Sequence, residues 1–141
     1  MIILDTNIVS EMIKLTPASV VEEWFKSIEL DSIALSTVTL FEIRYGLNLM
    51  PNSAKRLHLE LVFLKIKSAA LFGRLLPFGT LTAEFAADVF AKRRRMGRPV
   101  AVPDCLIAGH VLEHGATLAT RNIRDFDGVG LSLFNPWETA S

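Results

Sequence analysis

Short apolar runs take turns with longer segments of helical period along this whole chain, and that alternation constrains the fold more than any single residue. Ile2-Ile3-Leu4 reads as a buried strand, and Thr6 opens a short helix ending near Lys14. Pro17 starts a second helix, in which Val20, Val21, Trp24, Phe25 and Ile28 are spaced for one apolar face. Ile33-Ala34-Leu35 is a second strand, and Ser36 or Thr37 caps a helix reaching about Met50. A long helix spans about Ser53 to Phe72, with Leu57, Leu61, Leu64 and Ile66 in its apolar pattern. Leu75-Leu76 is a brief strand, Thr80 to Gly97 and Pro103 to Glu113 are helices, and Thr117-Leu118-Ala119 and Leu131 to Phe134 are strands. Such alternation predicts an α/β sandwich with a mainly parallel sheet. Right-handed crossovers would bring the C-terminal ends of the strands to one edge, where ligands bind.

The 141 residues suit a single domain, 1–141, long enough to bury a real core. Half of them are hydrophobic and 21% are charged, which excludes a disordered chain. Net charge is zero, so nucleic-acid binding would need a local basic patch rather than a bulk positive charge. The lone Cys105 suits a reducing compartment, and no apolar run approaches a membrane span. Asp5 follows Met1-Ile2-Ile3-Leu4 directly, leaving no visible secretion signal, and the expected location is cytoplasmic.

Against that background four acids stand out. Asp5 directly follows the first strand, where it could simply cap the next helix. Glu42 shares a helix face with Val38, Tyr45 and Leu49, among neighbours Leu40, Phe41, Ile43 and Leu47 that predict an apolar surround. A Thr39-x-x-Glu42 capping box is its ordinary alternative, and Arg44 and Asn48 better fit the solvent face. Asp104 begins the apolar stripe continued by Ile107, Ala108, Val111 and Leu112, so it heads the buried face of its helix. Asp125 sits in the turn Thr120 to Gly128, and its interest comes only from lying at the same sheet edge. Carboxylates gathered on one edge repel and hold protons unless a counter-charge is present. An all-oxygen set selects Mg²⁺ or Mn²⁺, which activates water for attack on a phosphodiester.

These residues lie within a longer pattern. Leu4-Asp5-Thr6-Asn7, Thr39-Leu40-Phe41-Glu42-Ile43-Arg44-Tyr45-Gly46, Gly73-Arg74-Leu75-Leu76-Pro77-Phe78, Asp104-Cys105-Leu106-Ile107-Ala108, His114 to Asn122 and Asn135-Pro136-Trp137 occur in order. With them the chain resembles a PIN-domain ribonuclease of the toxin–antitoxin (VapC, FitB-like) group over essentially all 141 residues. The resemblance implies a PIN-like three-layer sandwich with four to five strands, and a metal-dependent endoribonuclease acting on RNA. It implies Asp5, Glu42 and Asp104 as site acids, Asp5 and Asp104 as principal metal ligands, and Thr6, Asn7 and Thr120 as supporting polar groups. It also implies a homodimer neutralised by a small antitoxin whose other half binds DNA. The family's fourth acid usually falls where this chain has Asn122, so Asn122 and Asp125 both remain candidates for that corner. The substitution also keeps open a non-catalytic interaction module of the same fold, acting through its antitoxin and DNA complex. An acidic-pocket phosphotransfer domain is the weaker rival, because it needs an acceptor aspartate after a central strand.

Other motifs read as structural. His110-Val111-Leu112-Glu113-His114 matches the His-x-x-Glu-His zinc pattern, but its histidines face away from Asp104 and the pattern is short. Lys92-Arg93-Arg94-Arg95, with Arg98, ends a helix before Gly97 and could add a phosphate contact. Trp24, Phe25, Phe63 and Phe72 fit core spacing rather than base stacking, and Cys105 fits a small buried residue rather than a nucleophile.

Overall fold

The computed structural model describes residues 1–71 and 74–138. Five strands form one sheet: β1 (Ile2–Leu4), β2 (Ile33–Ser36), β3 (Leu75–Leu76), β4 (Thr117–Ala119) and β5 (Ser132–Phe134). Their order is β3-β2-β1-β4-β5, and every pairing is parallel. The helices are α1 (Thr6–Met12), α2 (Ser19–Ser27), α3 (Thr37–Leu49), α4 (Ala54–Leu71), α5 (Thr80–Arg95), α6 (Val102–His114) and α7 (Ile123–Phe126). The expected α/β sandwich is therefore present, with the sheet wholly parallel.

Side chains alternate across the strands and fill two separate cores. On one face Ile3, Ala34 and Leu118 pack with Val89, Ile107, Ala108, Val111 and Phe126 from the later helices. On the other, Leu4, Ile33, Leu35 and Ala119 pack with Ile8, Val9, Ile43, Leu47 and Phe63 from the earlier ones. The layers follow from strand order. The chain moves outward from β1 through β2 to β3 with helices on one face, then returns to β4 and β5 with helices on the other. Right-handed crossovers running in opposite directions must lie on opposite faces.

Local signals largely set the element ends. Ser36 accepts the Val38 N–H at 2.9 Å and caps α3, and Gly115 closes α6 in the left-handed conformation at φ 58°. Two expectations need correction. The turn expected around Asp125 contains the single-turn helix α7, because the Asp125 N–H bonds back to the Asn122 carbonyl at 3.0 Å. On α4, Leu57, Leu61 and Leu64 are exposed while Phe63 is buried, so the helix turns a different stripe inward than expected. Phe72, expected at the end of that helix, lies outside the described residues. Among the described residues, no helix is long and apolar enough to cross a membrane.

The basic run also differs from expectation. Arg93 is buried, and its guanidinium donates to the carbonyls of Arg98 and Asp127 at 2.9 and 2.7 Å. It ties the end of α5 to the segment after α7 and is withdrawn from any phosphate contact, whereas Lys92, Arg94, Arg95 and Arg98 stay exposed.

Helices α5 and α6 pack tightly at Gly109, where an added Cβ would stand 2.5 Å from the Thr82 carbonyl oxygen and 3.0 Å from Ala86 Cβ. Backbone cannot yield as a flexible side chain does, so Gly109→Ala should cost about 2–3 kcal/mol. A urea denaturation midpoint equal to that of the unsubstituted chain would show that the helices can separate freely here.

Candidate active site

The strand order places a switch point between β1 and β4, since connections leave these neighbours in opposite directions. A crevice opens at the C-terminal ends of such a pair. Asp5 follows β1 and Thr120 follows β4, so the two flank it.

Asp5 is buried and held from several sides. Its backbone N–H donates to the Ala119 carbonyl at 2.9 Å, extending the ladder one residue beyond β1. Its Oδ1 accepts the Thr6 N–H at 2.8 Å, as the capping alternative anticipates. Its Oδ2 accepts the Thr120 hydroxyl at 2.7 Å and the Asn7 amide at 3.2 Å. Burial raises the Asp5 pKa; the Thr120 and Thr6 hydrogen bonds oppose that rise, and Glu42 and Asp125 reinforce it.

Glu42 enters from α3. The Thr6 hydroxyl lies 2.7 Å from Glu42 Oε1 and 3.1 Å from the Thr39 hydroxyl. Thr6 is the donor in both contacts, and its one proton serves the shorter one, to the Glu42 carboxylate. Thr39 is fully buried beside the Thr6 hydroxyl rather than in a capping box, because Ser36 caps the helix. The Thr39-x-x-Glu42 spacing was the available signal for it. The expected apolar surround of Glu42 holds for Ile43 and Leu47, which are buried, and for Leu40, which packs against the core, but Phe41, Tyr45 and Leu49 are exposed.

Asp104 lies in the first turn of α6, behind the N-cap Ala101, which makes no side-chain capping bond. Its helix buries Ile107, Ala108 and Val111 as expected, and Asp104 itself is half-buried. Its pKa is raised from 3.8 to about 6, by burial first and then by Asp5, Glu42 and Asp125. Asp125 thus acts on both Asp5 and Asp104, and Asn122 lines the cleft, with its N–H on the Thr120 hydroxyl at 3.0 Å. All eight expected site residues therefore gather at one sheet edge. Among the described residues, none of the four acids forms an ion pair with Lys, Arg or His. Cys105 is buried with its thiol pKa raised by burial and by Asp104, which suits a packing residue.

The cleft encloses about 420 Å³ and is also lined by Ser10, Glu11, Lys14, Arg121 and Trp137, none of them among the site residues expected from the sequence. Arg121 lies over the Trp137 ring, 4.8 Å from its centroid. Glu11 is buried; desolvation opposes its charge, but Lys14 and the Ala18 N–H, each at 2.9 Å, hold its pKa below the ordinary value. An apolar groove of about 540 Å³, lined by Ile13, Leu15, Ile43, Leu47, Met50 and Leu59, adjoins the cleft and shares Thr6, Ser10, Lys14 and Glu42 with it.

A family model described as the PIN domain matches residues 2–130. The chain belongs to the PIN-domain family. VapC ribonuclease Y4jK of Sinorhizobium fredii is 35% identical to this PIN domain over 140 residues, covering 99% of this chain and 100% of the relative. Toxin FitB of Neisseria gonorrhoeae is 35% identical over 141 residues, covering 97% and 99%. A chain in the structure of FitAB bound to the IR36 DNA fragment superposes with a TM-score of 0.90 at 32% identity, covering 100% of this PIN domain and 99% of that chain.

A carboxyl whose folded-state pKa exceeds its unfolded value favours folding only while protonated. Asp104 should therefore destabilise the metal-free protein progressively as pH rises from about 4 through about 6. Asp104→Asn should raise metal-free stability at pH 7.5 by about 1–2 kcal/mol, after discounting the pKa shift for partial exposure, and the gain should vanish near pH 4. Lower stability of the variant at both pH values would make Asp104 a structural cap.

Proposed function

We propose that this PIN domain, a single domain over residues 1–141, is a metal-dependent endoribonuclease and the toxin of a toxin–antitoxin pair. The observation that carries the reading is Asp104: a half-buried carboxylate with no cation beside it among the described residues, sharing an open cleft with Asp5 and Glu42 and near enough to Asp125 to feel its charge. The donor set fits a hard divalent cation, because it is entirely carboxylate, hydroxyl and amide oxygen. Asp5 and Asp104 would hold Mg²⁺ or Mn²⁺, and Asp125 supplies the fourth acidic corner ahead of Asn122. When bound, the ion lowers the pKa of a water and offsets the charge that develops on the phosphoryl oxygens.

The chain's own groups then have distinct tasks. Thr120 and Asn7 fix the Asp5 carboxylate, so its two oxygens do not rotate as substrate enters. Thr6 donates to Glu42 and holds it where it can accept a proton from the attacking water. Lys14 and Arg121 at the rim offer positive charge to RNA phosphates in a chain of zero net charge. The relatives' names, a ribonuclease and a toxin, support the same reading. The FitAB assembly on DNA supports a small antitoxin partner with a DNA-binding half. The apolar groove beside the acids suits that partner, since a segment seated there would also obstruct the cleft. A homodimer in the cytoplasm completes the proposal.

The purified chain should cleave RNA with Mg²⁺ or Mn²⁺ and lose cleavage with chelator. Asp5→Asn and Asp104→Asn should each lower the rate by at least about 100-fold. Asp125→Asn should cost more than Asn122→Ala, and the reverse order would give the fourth corner to Asn122. Failure to cleave total RNA with either metal, while antitoxin binding persists, would favour the interaction module instead.

A further inference from the structure

We propose that His110, Glu113 and His114 form a second metal site, distinct from the acid cleft, that takes Zn²⁺ at the contact between α5 and α6. The three residues fall at i, i+3 and i+4 on α6 and share one helix face. Glu113 Oε2 lies 3.9 Å from His110 Nδ1 and 3.7 Å from His114 Nε2, and the three ligand atoms all lie within 4.8 Å of one another. A tetrahedral ion with bonds of about 2.0–2.1 Å sets adjacent donors roughly 3.4 Å apart. Two of the pairs need to close by only a few tenths of an ångström, and the histidine pair can follow by rotation of the more exposed His114.

The second and independent observation is His110 itself. It is fully buried, and among the described residues neither Nδ1 nor Nε2 has a hydrogen-bond partner. A neutral imidazole carries one donor and one acceptor, and leaving either buried and unmatched costs about 1–3 kcal/mol. Glu113, at 3.9 Å, is too far to accept a hydrogen bond. Phe78 packs on the ring edge-to-face, with centroids 6.0 Å apart, and supplies no strong partner. Burial pushes the His110 pKa down, against a smaller opposing pull from Glu113, so the ring is held neutral, the form that ligates metal.

The surroundings are those of a ligand set rather than a stray carboxylate. The buried Thr82 of α5 donates its hydroxyl to Glu113 Oε2 while its oxygen accepts the Gly79 N–H at 3.2 Å. Its single proton is therefore committed to Glu113, and such outer partners orient metal ligands. The close approach at Gly109 brings Thr82 within reach. Glu113 and His114 are partly open to solvent and provide an entry path for the ion, whose fourth ligand would come from water on that side. The position at the C-terminal end of α6 also favours a cation. Two imidazoles with one carboxylate select Zn²⁺ over Mg²⁺, the opposite preference to the acid cleft. A bound ion would satisfy His110 and, through Glu113 and Thr82, tie α6 to α5. The His-x-x-Glu-His pattern that reads as structural in the sequence becomes a ligand set once α5 covers it.

The test uses the full chain carrying Asp104→Asn, which weakens the acid cleft as a competing ligand set. The metal-free protein is titrated with Co²⁺ alone, followed by its visible absorption, and with Zn²⁺ alone, followed by calorimetry. One equivalent should bind with the intense bands of tetrahedral Co²⁺, and excess Mg²⁺ should not displace it. Adding His114→Ala or Glu113→Gln should weaken Zn²⁺ binding by at least about 100-fold, and Thr82→Val by about 10–100-fold. Absence of stoichiometric Zn²⁺ binding in the parent overturns the proposal, as does full-strength binding in either ligand variant. His114 sits at the exposed helix end and Glu113→Gln keeps the side chain's shape, so both variants retain the fold, which circular dichroism checks. Because the readout is binding, the outcome is independent of whether the chain cleaves RNA.

Discussion

Two hydrogen bonds join the ends of neighbouring strands at the centre of the sheet, and the geometry of the acid cleft depends on them. The Asp5 N–H continues the ladder onto Ala119, and the Thr120 hydroxyl holds the Asp5 carboxylate. Together they fix a charged group at the switch point, where the departing connections leave a crevice. Asp104 reaches that crevice from the start of α6 and Glu42 from α3, while Asp125 of α7 stands near enough to act on Asp5 and Asp104, and each helix is rooted in a core on one face of the sheet. A rigid scaffold beneath converging side chains is what a site for an ion or an activated water requires.

The cost of the arrangement is electrostatic. Burial and like charge both favour protonated Asp5 and Asp104, and no basic side chain among the described residues pairs with them. Elsewhere the same chain does neutralise buried charge: Glu11 has Lys14 and the Ala18 N–H, and Arg93 has two carbonyls. The contrast is local. Charges with structural duties are satisfied internally, whereas those at the crevice have no basic partner among the described residues, the pattern that supports a ligand-binding role there. His110 belongs with the second group, although it lies on the other side of α6 from the crevice.

Local signals predicted the elements well because strands, caps and helix periods are set by near neighbours. Ser36 as a cap, Gly115 as a helix end and the short run Ile2-Ile3-Leu4 could all be read directly. Surface assignments on α3 and α4 fared worse. Phe41 and Tyr45 stack in solvent with centroids 6.2 Å apart, and Leu57, Leu61 and Leu64 are also exposed. An apolar residue at helical spacing has several faces it can share, and only the position of the sheet decides which one is buried.

By itself, the sequence determined the α/β alternation, and with it the gathering of strand ends on one edge. It also singled out Asp104, because an acid heading an apolar stripe is anomalous whatever the fold around it. Family likeness, also present in the sequence, extended this to Asp5 and Glu42. Tertiary structure decided what no spacing encodes. It set the buried Thr39 beside the Thr6 hydroxyl that holds Glu42, brought Asp125 within electrostatic reach of Asp5 and Asp104, took Arg93 out of the basic run, and left both His110 ring nitrogens without a hydrogen-bond partner among the described residues. Each of these depends on contacts between residues far apart in the chain, and those are fixed only when helices close over the two faces of the sheet.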